Sequence, residues 1–498
     1  MTRRQAQAAA RGTTAATAPR PITCRTALRL TTPIAIAVLA AACAAPADRG
    51  APPSPGDAPP TLTAAADTAA RVPGWRGYFA DPALQQLIAQ ALENNRDLRI
   101  AARRVDEARA GYGLQRADEG PTIGLQSRGI RYHSPADLSL TRQENTGGVQ
   151  SAGLGFSSWE IDLFGRLRAQ SDSARERWLA SEAAQRAVAL QLVAQVADGY
   201  YTLCELDERL ALADETVASR SESLRITRRR VEVGSSSKLT LLQVQTLLTQ
   251  AQSLAAQLQR ERAAQVEALA LLAGARPALP ATLPRLDELA ALAPLAPGLP
   301  SSLLERRPDL LAAEHQLRAT RANVGAARAA FFPQITLTGT YGSASAALDG
   351  LFEAGSRQWL LTPSISLPLW DWGLRARNLD LAEARRDIAV AQYEKSVQQA
   401  FRDVADALSA RRWLDEQARI AAEARAAQTE RARLARLRYD TGASSFLDVL
   451  DAERDLLSAQ QAQVQARRAA LAARVALFAA LGGGTEPTSS SVSASESP

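Results

Sequence analysis

Pro333-Gln-Ile-Thr-Leu-Thr-Gly-Thr-Tyr341 and Trp359-Leu-Leu-Thr-Pro-Ser-Ile-Ser-Leu-Pro-Leu369 are the stretches that decide how this chain is built. In the first, Ile335, Leu337 and Tyr341 alternate with Gln334, Thr336, Thr338 and Thr340. In the second, Trp359, Leu361, Ile365 and Leu367 alternate with Thr362, Ser364 and Ser366. Successive side chains of a strand point to opposite faces, so each stretch has an apolar side and a polar side. Alternation in segments of about ten residues is the signature of transmembrane barrel strands, apolar side to lipid and polar side to lumen. The predicted lumen-lining set is Thr336, Thr338, Thr340, Ser364 and Ser366. Residues 121–132 and 149–161 offer weaker counterparts, which makes four strands per chain. Trp159, Trp359, Trp370 and Trp372 fall near strand ends, where interfacial aromatics are expected.

Four strands cannot close a barrel, and open sheet edges do not survive in lipid. Several chains must therefore share one barrel. A dimer gives eight strands, filled by side chains, whereas a trimer gives twelve and room for a pore. A duct argues for the trimer.

Around these segments proline and glycine are distributed in a telling way. No proline occurs from residue 136 to 276 or from 369 to 486, and the cluster Pro277 to Pro308 separates the two runs. Between Arg166 and Ala273 the only glycines are Gly199 and Gly234; between Leu374 and Leu481 there is only Gly442. Proline costs a helix interior about 3 kcal/mol, so both runs predict very long helices. A helix from about Arg166 to Glu232 would be roughly 100 Å long at 1.5 Å per residue. That length suits helical hairpins standing out from a membrane rather than a globular core.

The two runs are related by duplication. Glu232-Val-Gly-Ser-Ser-Ser-Lys-Leu-Thr-Leu-Leu-Gln243 mirrors Asp440-Thr-Gly-Ala-Ser-Ser-Phe-Leu-Asp-Val-Leu-Asp451 at an offset of 208. Phe164-Gly-Arg-Leu-Arg168 mirrors Trp372-Gly-Leu-Arg-Ala376 at the same offset. Asn95-Arg-Asp-Leu98 mirrors Arg307-Pro-Asp-Leu310, and Pro121 mirrors Pro333, both at 212. The expected organisation is a first repeat at 75–276, a proline-rich connection at 277–308, a second repeat at 309–484 and a disordered tail at 485–498.

The net charge of +6 suggests nucleic acid until it is located. Residues 1–42 hold six arginines and no acidic residue, so removing them from 58 basic side chains leaves 52 against 52 acidic ones. The body is neutral and lacks the basic stripe that phosphate-backbone binding needs. The leader reads as a signal peptide over 1–42, with an arginine-rich start, the apolar run Ile34 to Ala42 and then Cys43. Leu39-Ala-Ala-Ala-Cys43 resembles a bacterial lipobox with Leu39 one place further out than usual, which makes Cys43 the expected lipidation site. Ala44, where an aspartate would retain such a protein at the inner membrane, favours sorting to the outer membrane by the same resemblance. Residues 43–74 form a lipidated, proline- and alanine-rich linker, anchored firmly because each buried methylene adds about 0.8 kcal/mol. Only Cys43 and Cys204 remain after cleavage, so no disulfide framework exists, and Cys204 reads as a small core residue.

Several further stretches resemble the OprM/NodT branch of TolC-type outer-membrane efflux lipoproteins. They are Ser158-Trp-Glu-Ile-Asp-Leu-Phe-Gly-Arg-Leu-Arg168, Gly298-Leu-Pro-Ser-Ser-Leu-Leu-Glu-Arg-Arg-Pro-Asp309, Gly325-Ala-Ala-Arg-Ala-Ala-Phe-Phe-Pro333, Tyr393-Glu-Lys-Ser-Val-Gln-Gln-Ala-Phe401 and Ala480-Leu-Gly-Gly-Gly484. The resemblance runs from about Trp75 to Gly484. It implies a homotrimer with a twelve-stranded β-barrel in the outer membrane and a periplasmic α-helical tunnel, an α+β membrane fold. It also implies a periplasmic adaptor and an inner-membrane resistance-nodulation-division pump as partners.

A duct to the exterior must be shut at rest, and the tip of the second repeat is where a constriction is expected. Ser445 and Asp448 form a capping-box-like pair, which gives Asp448 a structural role. Asp451 lies one turn on, with Arg454 three residues beyond. By resemblance, Leu447 and Asp451 point to the three-fold axis as an apolar and an acidic ring, while Arg454 and Tyr439 tie neighbouring helices. The first repeat has Gln243 and Thr246 in place of Asp451 and Arg454, so this gate is three-fold rather than six-fold.

Enzyme readings fail. Ser235-Ser-Ser-Lys238 satisfies S-x-x-K, but neither S-D-N nor K-T-G accompanies it. No H-E-x-x-H, phosphate loop or Cys/His metal cluster occurs, so no catalytic residue, metal or cofactor is expected beyond the lipid on Cys43. The alternatives are an exit duct for type I protein secretion and a non-conducting periplasmic tether. The strands and the duplication argue against the tether, and the lipobox favours small-molecule efflux. The cargo is left open among drugs, aromatic compounds and metals; the absence of methionine beyond Met1 argues against a thioether route for copper or silver.

Overall fold

The computed structural model describes residues 73–138, 142–277, 279–280, 282–289, 292–293, 295 and 307–483. The expected signal peptide, Cys43, residues 43–72 of the linker, half of the proline-rich connection and the tail at 485–498 lie outside the described residues.

In chain order the described elements are α1 (Trp75–Tyr78), α2 (Pro82–Asn94), α3 (Arg96–Ala117), β1 (Gly124–Ser134), β2 (Asn145–Glu160), α4 (Arg166–Glu232) and α5 (Lys238–Ala273). The second repeat continues with α6 (Pro308–Ala329), β3 (Gln334–Ser345), a 3-10 turn at Asp349–Phe352, β4 (Arg357–Ser366), α7 (Leu374–Asp440) and α8 (Phe446–Ala480). In two helix pairs the duplication holds to the residue. α4 and α7 each have 67 residues and start 208 apart; α3 and α6 each have 22 and start 212 apart. Each long helix is about 100 Å from end to end. No helix among the described residues is long and apolar enough to cross a membrane.

Hairpin tips repeat too. Gly234 and Gly442 follow the ends of α4 and α7 by two residues, with φ of 80° and 75°, the left-handed conformation that stops a helix without steric cost to glycine. The return helices are capped by Ser237 and Ser445, each accepting a backbone N–H three residues on.

The main core lies where α1 and α2 press against α4, α5 and α8. Tyr78 stacks on Phe478 at 4.6 Å and meets Phe79 edge-on at 4.9 Å, and all three are buried. Tyr78 also donates its hydroxyl to the Arg474 carbonyl at 2.9 Å. Tyr200 donates to Asp81, the N-cap of α2, at 2.7 Å. Cys204 is buried beside it, and burial pushes its thiol up to about 12, in keeping with a core role. Arg307 is buried at the foot of α6, where it pairs with Asp309 at 2.7 Å and Asp403 at 3.0 Å and donates to the Ala480 carbonyl at 3.0 Å. One guanidinium thereby ties α6, α7 and the end of α8 together.

β1 to β4 form one antiparallel sheet in sequence order, leaving one unpaired edge on β1 and one on β4. The hairpin of β1 and β2 starts three residues after Pro121 and reaches back to Asn145, further than alternation alone indicated. The reason is composition: Gly147, Gly148 and the polar positions near them blur the period-two pattern that marks a strand.

Candidate functional site: the polar strand face and the helical tip

Strand pairing assigns the faces. Tyr341 lies opposite Trp359 and Leu154, Ile335 opposite Ile365, and Leu337 opposite Trp159. Leu125 is opposite Leu154, so an apolar side crosses all four strands. On the other side Thr336 lies opposite Ser364 and Glu160, Thr338 opposite Thr362, Thr340 opposite Leu360 and Ser366 opposite Gln334. The five residues read from sequence as a polar set therefore share one face of the sheet, with Leu360 as the departure from it.

Two features shape this face, and neither is visible in alternation. A bulge interrupts β2 between Phe156 and Trp159, with Ser158 at a φ of 55°. The Ser158 N–H, displaced from the ladder, donates to Thr338 Oγ1 at 3.0 Å. Gly153 and Gly342 face each other at close backbone approach. A Cβ on Gly342 would come within 2.2 Å of the Ala152 carbonyl, and one on Gly153 within 2.5 Å of the Tyr341 carbonyl. Bulges and glycines of this kind bend a sheet.

Trp370 and Trp372, between β4 and α7, meet edge-on at 5.7 Å and are 77% and 89% exposed; Trp359, at the far end of β4, is 75% exposed. Trp159 instead anchors the sheet, donating its indole N–H to the Glu119 carbonyl at 3.0 Å.

At the opposite end the tip residues are brought together in part. The Ser445–Asp448 capping box is complete. Leu447, between the two members of that box, is 47% exposed. Asp451 pairs with Arg454 at 3.3 Å, and Arg454 also reaches Asp455 at 3.0 Å, which Arg431 of α7 holds at 2.6 Å. Arg454 is thus engaged on its own helix. Tyr439 bridges helices: its hydroxyl accepts a hydrogen bond from Arg230 of α4 at 2.6 Å, and its ring packs on Phe446 at 5.0 Å.

Sequence reasoning missed Arg230, because its partner lies 209 residues away and no local pattern joins them. It also missed Glu453, which sits among α8, Arg220 and Arg436; burial raises its carboxyl above the usual range against the pull of both arginines. No group of three His, Cys, Asp or Glu residues among the described residues is placed to hold a metal.

A sheet with one apolar and one polar face, feeding helices of about 100 Å that end in a bonded tip, fits an outer-membrane channel protein. Comparison with known proteins agrees. The family model described as outer membrane efflux protein matches residues 87–275 and again 299–483, once per repeat. The chain is 44% identical over 424 residues to the probable efflux pump outer membrane protein TtgC of Pseudomonas putida, covering 85% of this chain and 87% of TtgC. It is 39% identical over 416 residues to the outer membrane protein OprJ of Pseudomonas aeruginosa, covering 82% of this chain and 86% of OprJ. The solved open state of the Neisseria gonorrhoeae MtrE outer membrane channel superimposes with a TM-score of 0.75 at 38% identity, over 82% of this chain and 91% of that one. The chain belongs to the outer membrane efflux protein family: it is an efflux channel protein of the outer membrane, with its helical part in the periplasm.

Proposed function

We propose that three copies close into a twelve-stranded transmembrane barrel continued by a helical tunnel, the exit duct of a tripartite efflux system. Small molecules delivered by an inner-membrane resistance-nodulation-division pump and a periplasmic adaptor leave the cell through it without chemistry. Three acyl-anchored Cys43 residues hold the assembly to the membrane.

The observation that carries this reading is an asymmetry between equivalent helices. Within the chain α4 packs against α6 and α8 of the second repeat, but α7 has no such extensive packing against α3 or α5. Positions buried on α4 are accordingly exposed on α7. Ser173 is 1% exposed and its equivalent Leu381 47%; Glu205 is 9% and its equivalent Trp413 55%. The α7 surface awaits the α3 and α5 of another copy, a head-to-tail contact that closes into a ring. The free edges of β1 and β4 call for the same closure, since unpaired strand edges are not tolerated in lipid. The polar face with Thr336, Thr338, Thr340, Ser364 and Ser366 then lines the pore, and the apolar face meets lipid.

At the tip, Leu447 and Asp451 form the constriction. Arg454 offsets the mutual repulsion of three Asp451 carboxylates, and Tyr439 locks the second hairpin to the first. The test is single-channel conductance of the lipidated protein in planar bilayers, beside the double variant Asp451→Ala, Arg454→Ala. The wild type is expected to be mostly closed and the variant to conduct more and for longer. A conducting wild type with an unchanged variant moves the gate elsewhere. Silence from both, in correctly trimeric protein, supports the tether.

A further inference from the structure

At their strand-proximal ends α4, α6 and α7 line a half-open cavity of about 630 Å³. Its wall carries four arginines, Arg166, Arg177, Arg375 and Arg385, and no carboxylate. Two of these are committed: Arg166 donates to both oxygens of Glu160 at 2.9 and 2.6 Å, and Arg375 to Asp371 at 2.6 Å. Arg177 and Arg385 have no hydrogen-bond or ion-pair partner among the described residues. They are repeat equivalents at the offset of 208, as are their cavity neighbours Gln170 and Asn378. The duplication therefore aims the same cation and the same amide into one space from both repeats.

The side of the wall can be assigned. Glu160 lies opposite Thr336 in the strand ladder, so its carboxylate belongs to the polar face, and it grips Arg166, which lines the cavity. This puts the cavity on the side of the helical wall that continues the polar face of the sheet.

We propose that this cavity binds organic anions of drug size, a carboxylate or sulfonate held between Arg177 and Arg385 with its apolar body against Ala327, Ala382 and Ile388. The guanidinium fork matches a planar or tripodal oxyanion, and the volume falls within the range of small-molecule sites. Both arginines are exposed, so the dissociation constant is expected on the order of 1 mM rather than 1 μM. That weakness suits a conduit, where a site must release what it attracts. The inference rests on the duct reading for the cavity's place on the cargo's path, whereas the cavity itself belongs to a single chain. In a trimer the pairs would make a belt of six cations that concentrates anions in the upper tunnel.

The test uses the full-length protein in lipid nanodiscs, titrated calorimetrically with naphthalene-1-sulfonate and, for comparison, neutral naphthalene-1-methanol. The sulfonate is expected to bind the wild type, to bind Arg177→Gln, Arg385→Gln about tenfold more weakly, and to be retained by Arg177→Lys, Arg385→Lys, which keeps the charge. Equal binding by the Gln variant, or equal binding of the neutral alcohol, overturns the proposal. The same preparations in planar bilayers separate the two readings. Conduction without arginine-dependent binding removes this site and keeps the duct; arginine-dependent binding without conduction keeps the site and removes the duct.

Discussion

Replacing Tyr439 with Phe removes one hydroxyl from the tip and little else, which makes it the sharpest probe of the proposed gate. The ring contact with Phe446 at 5.0 Å survives the change, as does the Ser445–Asp448 box. What disappears is the 2.6 Å hydrogen bond from Arg230 that joins the ends of α4 and α7. A charge-assisted hydrogen bond contributes about 1.5–3 kcal/mol when shielded, but this one is exposed, so about 1 kcal/mol is the appropriate figure. If the three hairpins of a trimer move independently, each opens about fivefold more readily. If they open as one, about 3 kcal/mol is lost and the open probability rises about 150-fold. Single-channel recording of the purified variant distinguishes the two, by graded substates in the first case and full openings in the second. An open probability indistinguishable from wild type, in a preparation that remains trimeric, would refute a gate locked by this bond.

The sheet and the half-buried tip acid give three further predictions. Gly342→Ala should abolish heat-resistant trimers on gels, because the new methyl meets the backbone of β2, which cannot step aside. Gly339→Ala should do so more mildly and be rescued by Phe156→Leu, since its methyl meets only the Phe156 ring, 2.7 Å away, and the Leu361 side chain. Failure of the rescue would mean the ring is not the obstacle. Burial raises the Glu453 carboxyl in the folded chain, so the stability linked to it is complete below the unfolded value of about 4.3 and is lost as pH rises through the folded value. Amide protection factors at the start of α8, with the intrinsic pH dependence of exchange divided out, should accordingly be higher in mild acid than at neutral pH, and Glu453→Gln should flatten that dependence. A variant with the wild-type pH profile would sink the assignment.

Much of this architecture could be read without coordinates. Long proline-free runs have few alternatives to helix, so α4 was bounded at Arg166 and Glu232 by its flanking glycines and tip serines. Copies offset by 208 and 212 residues carry the same fold because the same local signals occur twice. The polar set of Thr336, Thr338, Thr340, Ser364 and Ser366 was legible because strand geometry makes facing a matter of parity. The capping box was legible because its two members are three residues apart.

Other features join residues that no local rule connects. The Arg230–Tyr439 bond, the approach of Gly153 to Gly342 and the shared cavity of Arg177 and Arg385 depend on how tightly the layers curve and which helices become neighbours. Periodicity specifies the direction of a side chain relative to its own backbone, and so the sequence alone determined the elements, their duplication and their faces. Curvature and helix order arise from packing summed over the whole chain, and so only the tertiary structure decided that a bulge at Ser158 leans on Thr338, that Arg454 is engaged on its own helix, and that two equivalent arginines share one unpaired space.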